Sequence, residues 1–146
     1  MAGALKLFLA TLVVAGITAG VAAAGGSGSG KFPLLGPDGN AFCDGSGVLS
    51  GQDLGFGFAV INAPSNGTVS ATVSAKALTP NTTYNVLLIQ GVADCFTPDT
   101  TLTTNGQGNG NAHWSEADTH SGTAFIAVCN GPCGTADSYV TNTYFH

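Results

Sequence analysis

The chain contains no arginine, and its only basic side chains are Lys6, Lys31 and Lys76. Recognition of a phosphate backbone leans on Arg and Lys, so nucleic acid is excluded as a partner. Docking on anionic lipid fails for the same reason. Bidentate carboxylate clamps need the guanidinium fork and are absent too. Charged residues of both signs make up only 8% of the chain, which leaves few acids and bases for an enzyme to tune. This scarcity of charge does not imply disorder. Disorder accompanies low hydrophobicity, whereas 44% of these residues are hydrophobic. Amphipathic helices are lacking as well. Beyond the N-terminal segment no window shows apolar residues at i, i+3, i+4 and i+7, and no repeat at a solenoid period is visible.

What is present starts with MAGALKLFLATLVVAGITAGVAAAGG. Lys6 precedes an apolar run that ends in Ala22, Ala23 and Ala24, the layout of a signal peptide cut after Ala24. Gly16 and Gly20 interrupt that run, which makes it marginal for a spanning helix of about 20 residues. Secretion is therefore expected in preference to a retained anchor. The mature chain keeps Lys31 and Lys76 against eight acids. Residues 25–40, opening with GGSGSGKFPLLG, read as a flexible linker, and 41–146 as one domain.

Four cysteines remain: Cys43, Cys95, Cys129 and Cys133. An even count in a short exported chain reads as two disulfides. Three pairings are possible, and Cys129–Cys133 with Cys43–Cys95 is the expected one. CNGPC has three residues between its cysteines, which fits a turn staple and not a C-x-x-C redox or zinc pair.

Strand patterning carries most of the domain. In TVSATVSAKA, 68–77, Val69, Ala71, Val73, Ala75 and Ala77 alternate with Thr, Ser and Lys, so a period of two sends one set inward. Leu54, Phe56, Phe58 and Val60 alternate in the same way. The NAPSNG cluster between them predicts a hairpin of 54–62 with 68–78. Residues 82–91 carry apolar side chains on both faces, as a central strand does. Further strands are expected at 100–104, 111–117, 123–129 and 138–145. About seven or eight short strands with turn signals between them describe an antiparallel sandwich.

Leu78, Pro80, Thr82, Tyr84 and Val86 spell L-x-P-x-T-x-Y-x-V. This resembles the corner of fibronectin type III domains, in which a tyrosine hydroxyl returns to upstream backbone. Pro80 stops the preceding ladder, and Asn81 and Thr82 turn the chain. Trp114 follows this corner, whereas the family's tryptophan precedes it. From Gly67 onward the order of features also resembles the neocarzinostatin-type apoproteins of actinobacteria: the alternating strand, LTPNTTYNV, Cys95, NGQGNG, then GTAFIAVC with a close second cysteine. That resemblance implies a secreted, acidic, disulfide-bonded immunoglobulin-like sandwich that carries a chromophore. Here Cys95 has no near partner, and the last cysteine spacing is one residue shorter than in that family.

Two stretches invite chemistry. The first is TTNGQGNGNAHW, 103–114. A phosphate cradle needs a glycine loop feeding a helix N-terminus, and a calcium loop needs carboxylates. Here a strand follows, and no Asp or Glu lies between Thr100 and Ala112. A hairpin connection is the reading, because Asn and Gly tolerate positive φ. The second is HWSEADTHSG. His113, Glu116, Asp118 and His120 could hold zinc or copper. Alternation puts Trp114 and Glu116 on one strand face and His113 on the other, so the set converges only if 117–121 folds back. His146 could join it only through packing. Ser121, His120 and Asp118 are too close in sequence for triad geometry, and no G-x-S-x-G elbow occurs. Asn66-Gly-Thr68 and Asn81-Thr-Thr83 are N-glycosylation sequons.

The chain is thus expected to be an all-β, disulfide-bonded, antiparallel immunoglobulin-like sandwich that is secreted, without cofactor or catalysis, and engaged with an extracellular or surface partner. A small-ligand carrier of the chromophore type and a metal-binding protein using the 113–120 loop are the alternatives.

Overall fold

The computed structural model describes residues 29–38, 53–64, 66–91, 96–119, 123–133, 138–141 and 144–145. Nine strands are described: β1 (Gly30–Asp38), β2 (Asp53–Asn62), β3 (Thr68–Ala75), β4 (Thr83–Ile89), β5 (Thr100–Thr103), β6 (Gly110–Ala117), β7 (Thr123–Cys129), β8 (Ser138–Thr141) and β9 (Tyr144–Phe145). Every pairing is antiparallel. Eight strands run in the order β5-β4-β7-β8-β1-β2-β3-β6, and β9 pairs with β7. The end strands β5 and β6 lie beside each other, so the sheet almost closes into a barrel. Between them no strand ladder forms among the described residues.

The period-two segments fold as their pattern dictates. On β3, Val69, Ala71, Val73 and Ala75 are buried. They face Ile61 and Ala59 of β2, and Trp114 and Ala112 of β6, in register. These side chains join Tyr84, Val86 and Leu88 of β4, Leu102 of β5 and Ile126 and Val128 of β7 in one interior. β4 is central, paired with β5 and β7. Its other face packs Leu87 and Ile89 with Phe125, Ala127 and Val140 in a second buried cluster. A strand apolar on both faces is what two covered faces require.

One boundary differs from the linker expected over 25–40. Residues 30–38 form β1, which pairs with β2 on one side and β8 on the other. Its register slips between Pro33 and Leu35, so Leu34 and Leu35 are both buried although adjacent. Pro33 sits at that irregularity, one of the few places a sheet accepts a residue without an N–H. Lys31 lays its ammonium over the Phe58 ring, 3.8 Å from the centroid. The single strand expected over 138–145 is instead two, β8 on β7 and β1, and β9 on β7.

Cys129 and Cys133 form a disulfide. The side-chain amide of Asn85 holds the loop between them by donating to the Gly131 carbonyl at 3.0 Å. The expected Cys43–Cys95 pair and the N-terminal signal segment lie outside the described residues.

Candidate functional site

The glycine-rich stretch is a turn whose donors are consumed locally. Asn105 Oδ1 accepts the N–H groups of Gln107 and Asn109 at 2.9 and 3.0 Å, and the Asn105 N–H donates to the Asn109 carbonyl at 2.8 Å. Gly108 has φ +77° and presents its carbonyl to the Leu78 N–H at 3.1 Å. The turn thereby docks on the 78–82 corner, where the Asn81 N–H donates to the Asn105 carbonyl and the Thr104 N–H to the Thr82 carbonyl. Buried Thr104 adds its hydroxyl, which donates to the Thr79 carbonyl at 2.7 Å and accepts the Thr82 N–H at 2.9 Å. These contacts pin one end of the gap between β5 and β6. They leave no nest of free amides for an anion.

The four residues expected to gather round a metal are divided by the sheet. His113 pairs with Thr72 and lies on the outer face, with its Nδ1 2.9 Å from Thr72 Oγ1. Glu116 stands opposite buried Val69 and therefore points to the inner face. A single strand cannot turn both side chains to one ion. Asp118 follows β6 with its N–H on the Gly67 carbonyl at 3.0 Å. His120 and His146 lie outside the described residues. No group of three metal-binding side chains forms among the described residues.

A different cluster forms at the second end of the gap. Gln90, at the end of β4, is buried and bridges to β6. Its Nε2 donates to Glu116 Oε1 at 2.7 Å and to the Ala117 carbonyl at 2.9 Å. Its Oε1 accepts the Thr119 N–H at 2.8 Å. Trp114 Nε1 donates to Glu116 Oε2 at 3.2 Å. Asp99, just ahead of β5, accepts the Leu88 N–H on Oδ2 at 2.6 Å. Burial pushes the Glu116 carboxyl up from its ordinary 4.5 to about 7, and the Asp99 charge adds to the rise. The hydrogen bonds from Gln90 and Trp114 pull the other way without cancelling it.

Alternation in NAHWSEA foretold that Trp114 and Glu116 share a face. Gln90 and Asp99 carried no signal, because nothing local says that a strand end and a loop residue will meet β6. Outside, β1, β2, β3 and β6 present a different surface, a row of Lys31, Val60, Thr72 and His113 in register. Beside it Ser74 Oγ donates to Asn111 Oδ1 at 2.8 Å.

No protein-family model matches the chain, and no curated protein or solved structure matches it significantly.

Proposed function

We propose that the chain is a secreted, non-catalytic immunoglobulin-like sandwich module with a binding or structural role outside the cell. The observation that carries this reading is the antiparallel strand order, in which β1 stands between β2-β3-β6 on one side and β8-β7-β4-β5 on the other while both runs line one apolar interior. An immunoglobulin-like sandwich sets two such groups of strands face to face, and that division is part of the proposal. The rigid interior supports the polar face of Ser, Thr, Asn and His on β3 and β6 as a contact surface, and sandwiches bind through exposed faces and loops. The signal-like first segment and the arginine-free, weakly charged composition support a role in the medium and argue against chemistry.

A carrier is the second reading. It is favoured by Trp114 and Glu116, which face inward at the end of the gap that side chains and not backbone close. A native mass spectrum of protein recovered from the medium of a secreting host, repeated after denaturation, separates the two. A chain starting at Gly25 with equal native and denatured mass supports the module. Extra mass released on denaturation supports the carrier. Retention of residues 1–24 in the cell membrane overturns secretion.

A further inference from the structure

Four Asn-Gly pairs occur in the chain: Asn66-Gly67, Asn105-Gly106, Asn109-Gly110 and Asn130-Gly131. In such a pair the glycine nitrogen can reach the asparagine amide carbon, because glycine has no Cβ to obstruct the approach. The four are alike in sequence and unlike in the fold. Asn105 Oδ1 accepts the N–H groups of Gln107 and Asn109 at 2.9 and 3.0 Å, so its side chain is tied twice. Gly110 opens β6 opposite Ala75, crowded by Leu102 and Thr103. The Asp118 N–H on the Gly67 carbonyl fixes the phase of the β3–β6 ladder, and that phase commits the Gly110 N–H to the Ala75 carbonyl. Asn66 is tied once, its Oδ1 accepting the Thr68 N–H at 3.1 Å. Asn130 is exposed, and among the described residues neither its side chain nor the Gly131 N–H has a hydrogen-bond partner. The space around Gly131 is open, and only its carbonyl is held, by Asn85. We propose that Asn130 is a self-modifying site, which converts to aspartate and isoaspartate ahead of the other three.

The chemistry needs only water and hydroxide. Hydroxide removes the Gly131 amide proton, and the nitrogen attacks Asn130 Cγ. An N–C bond forms there, the Cγ–Nδ2 bond breaks, and the leaving nitrogen takes protons from water to depart as ammonia. The product is a five-membered succinimide. Water then opens the ring at either carbonyl. Opening at Cγ leaves aspartate. Opening at the main-chain carbonyl leaves isoaspartate, with the chain running through Cβ and Cγ. Either product puts a new carboxylate on the loop that the Cys129–Cys133 disulfide closes. Isoaspartate also lengthens the backbone between those cysteines by one carbon, next to the carbonyl that Asn85 holds. The site is independent of the functional reading above, because it needs only the fold.

The test is incubation of the full chain at pH 8 and 37 °C, folded and, in parallel, reduced and unfolded in urea. Samples are digested with pepsin at acid pH, where the ring-forming step stops. Mass spectrometry with electron-transfer fragmentation then assigns each exchange of NH2 for OH to its asparagine and separates aspartate from isoaspartate. In the folded chain, conversion at Asn130 is expected to outpace that at Asn105 by roughly tenfold or more, since two hydrogen bonds must first open at Asn105. Asn66 follows Asn130, and Asn109 is slow. In the unfolded chain the four rates converge. An Asn130 that stays intact in the folded chain overturns the site. So do equal rates at Asn130 and Asn105 in the folded chain, or the same spread of rates in the unfolded one.

Discussion

The hydroxyl of Tyr84 accepts a hydrogen bond from the backbone N–H of Thr79 at 3.1 Å while its ring is fully buried. Residues 79–84 thus close on themselves where β3 gives way to β4. The ring also meets Tyr139 edge-on at 6.2 Å. Tyr84→Phe keeps this packing and leaves the Thr79 N–H without its acceptor. The expected cost is about 1 kcal/mol, a fall in Tm of roughly 2–4 °C for a chain of this size. Thermal unfolding by circular dichroism measures it. An unchanged Tm would show that the hydroxyl does not hold the corner.

The 105–109 turn makes a sharper prediction. A Cβ on Gly108 would collide with the Leu78 carbonyl oxygen, and its φ of +77° disfavours any L side chain. Gly108→Ala is expected to cost about 2 kcal/mol or more. Gly106 has open space around its Cβ position, so Gly106→Ala serves as the mild control. Equal midpoints in urea for the two variants would contradict the docking of this turn on the corner.

Ala77 carries φ +57° without being glycine, and it is exposed. The left-handed region costs a side chain about 1–2 kcal/mol, and glycine returns part of that as unfolded-state entropy. Ala77→Gly is therefore expected to stabilise the fold by about 0.5 kcal/mol. Chemical denaturation checks the sign, and a lower midpoint would refute it.

The raised Glu116 carboxyl sets a direction for stability against pH. The folded chain holds this proton up to about 7, and the unfolded chain only to about 4.5. Between those values the folded state binds more protons, so its stability falls as pH rises. The contribution is fully present below 4.5 and gone above about 7. Solvent reaches part of the carboxyl, which screens the effect to on the order of 1 kcal/mol. Denaturation midpoints at pH 5, 6, 7 and 8 should decline in the native chain and decline less in E116Q. Parallel profiles would show that Glu116 is not the group responsible.

The strands themselves were legible before any coordinates. β2, β4, β5, β6 and β7 fall within two residues of the segments that alternation and turn residues marked out, and β3 ends three residues before the end of the 68–78 segment. The separation of His113 from Glu116 and the consumption of NGQGNG in a turn followed from local rules as well. Side-chain alternation, a proline and a positive-φ glycine act within a few residues of chain, so the sequence by itself determined them.

Tertiary structure alone decided the rest. Gly30–Asp38 is rich in Gly and Pro and reads as a linker, and it becomes a strand because β2 and β8 each offer it an unpaired edge. Gln90 and Glu116 stand 26 residues apart, and the Asp99 charge that raises the Glu116 carboxyl comes from a separate segment. The proton on Glu116 exists only because packing removes its water and sets a second carboxylate beside it. Burial and the approach of distant charges are properties of the assembled interior, and no window of sequence contains them.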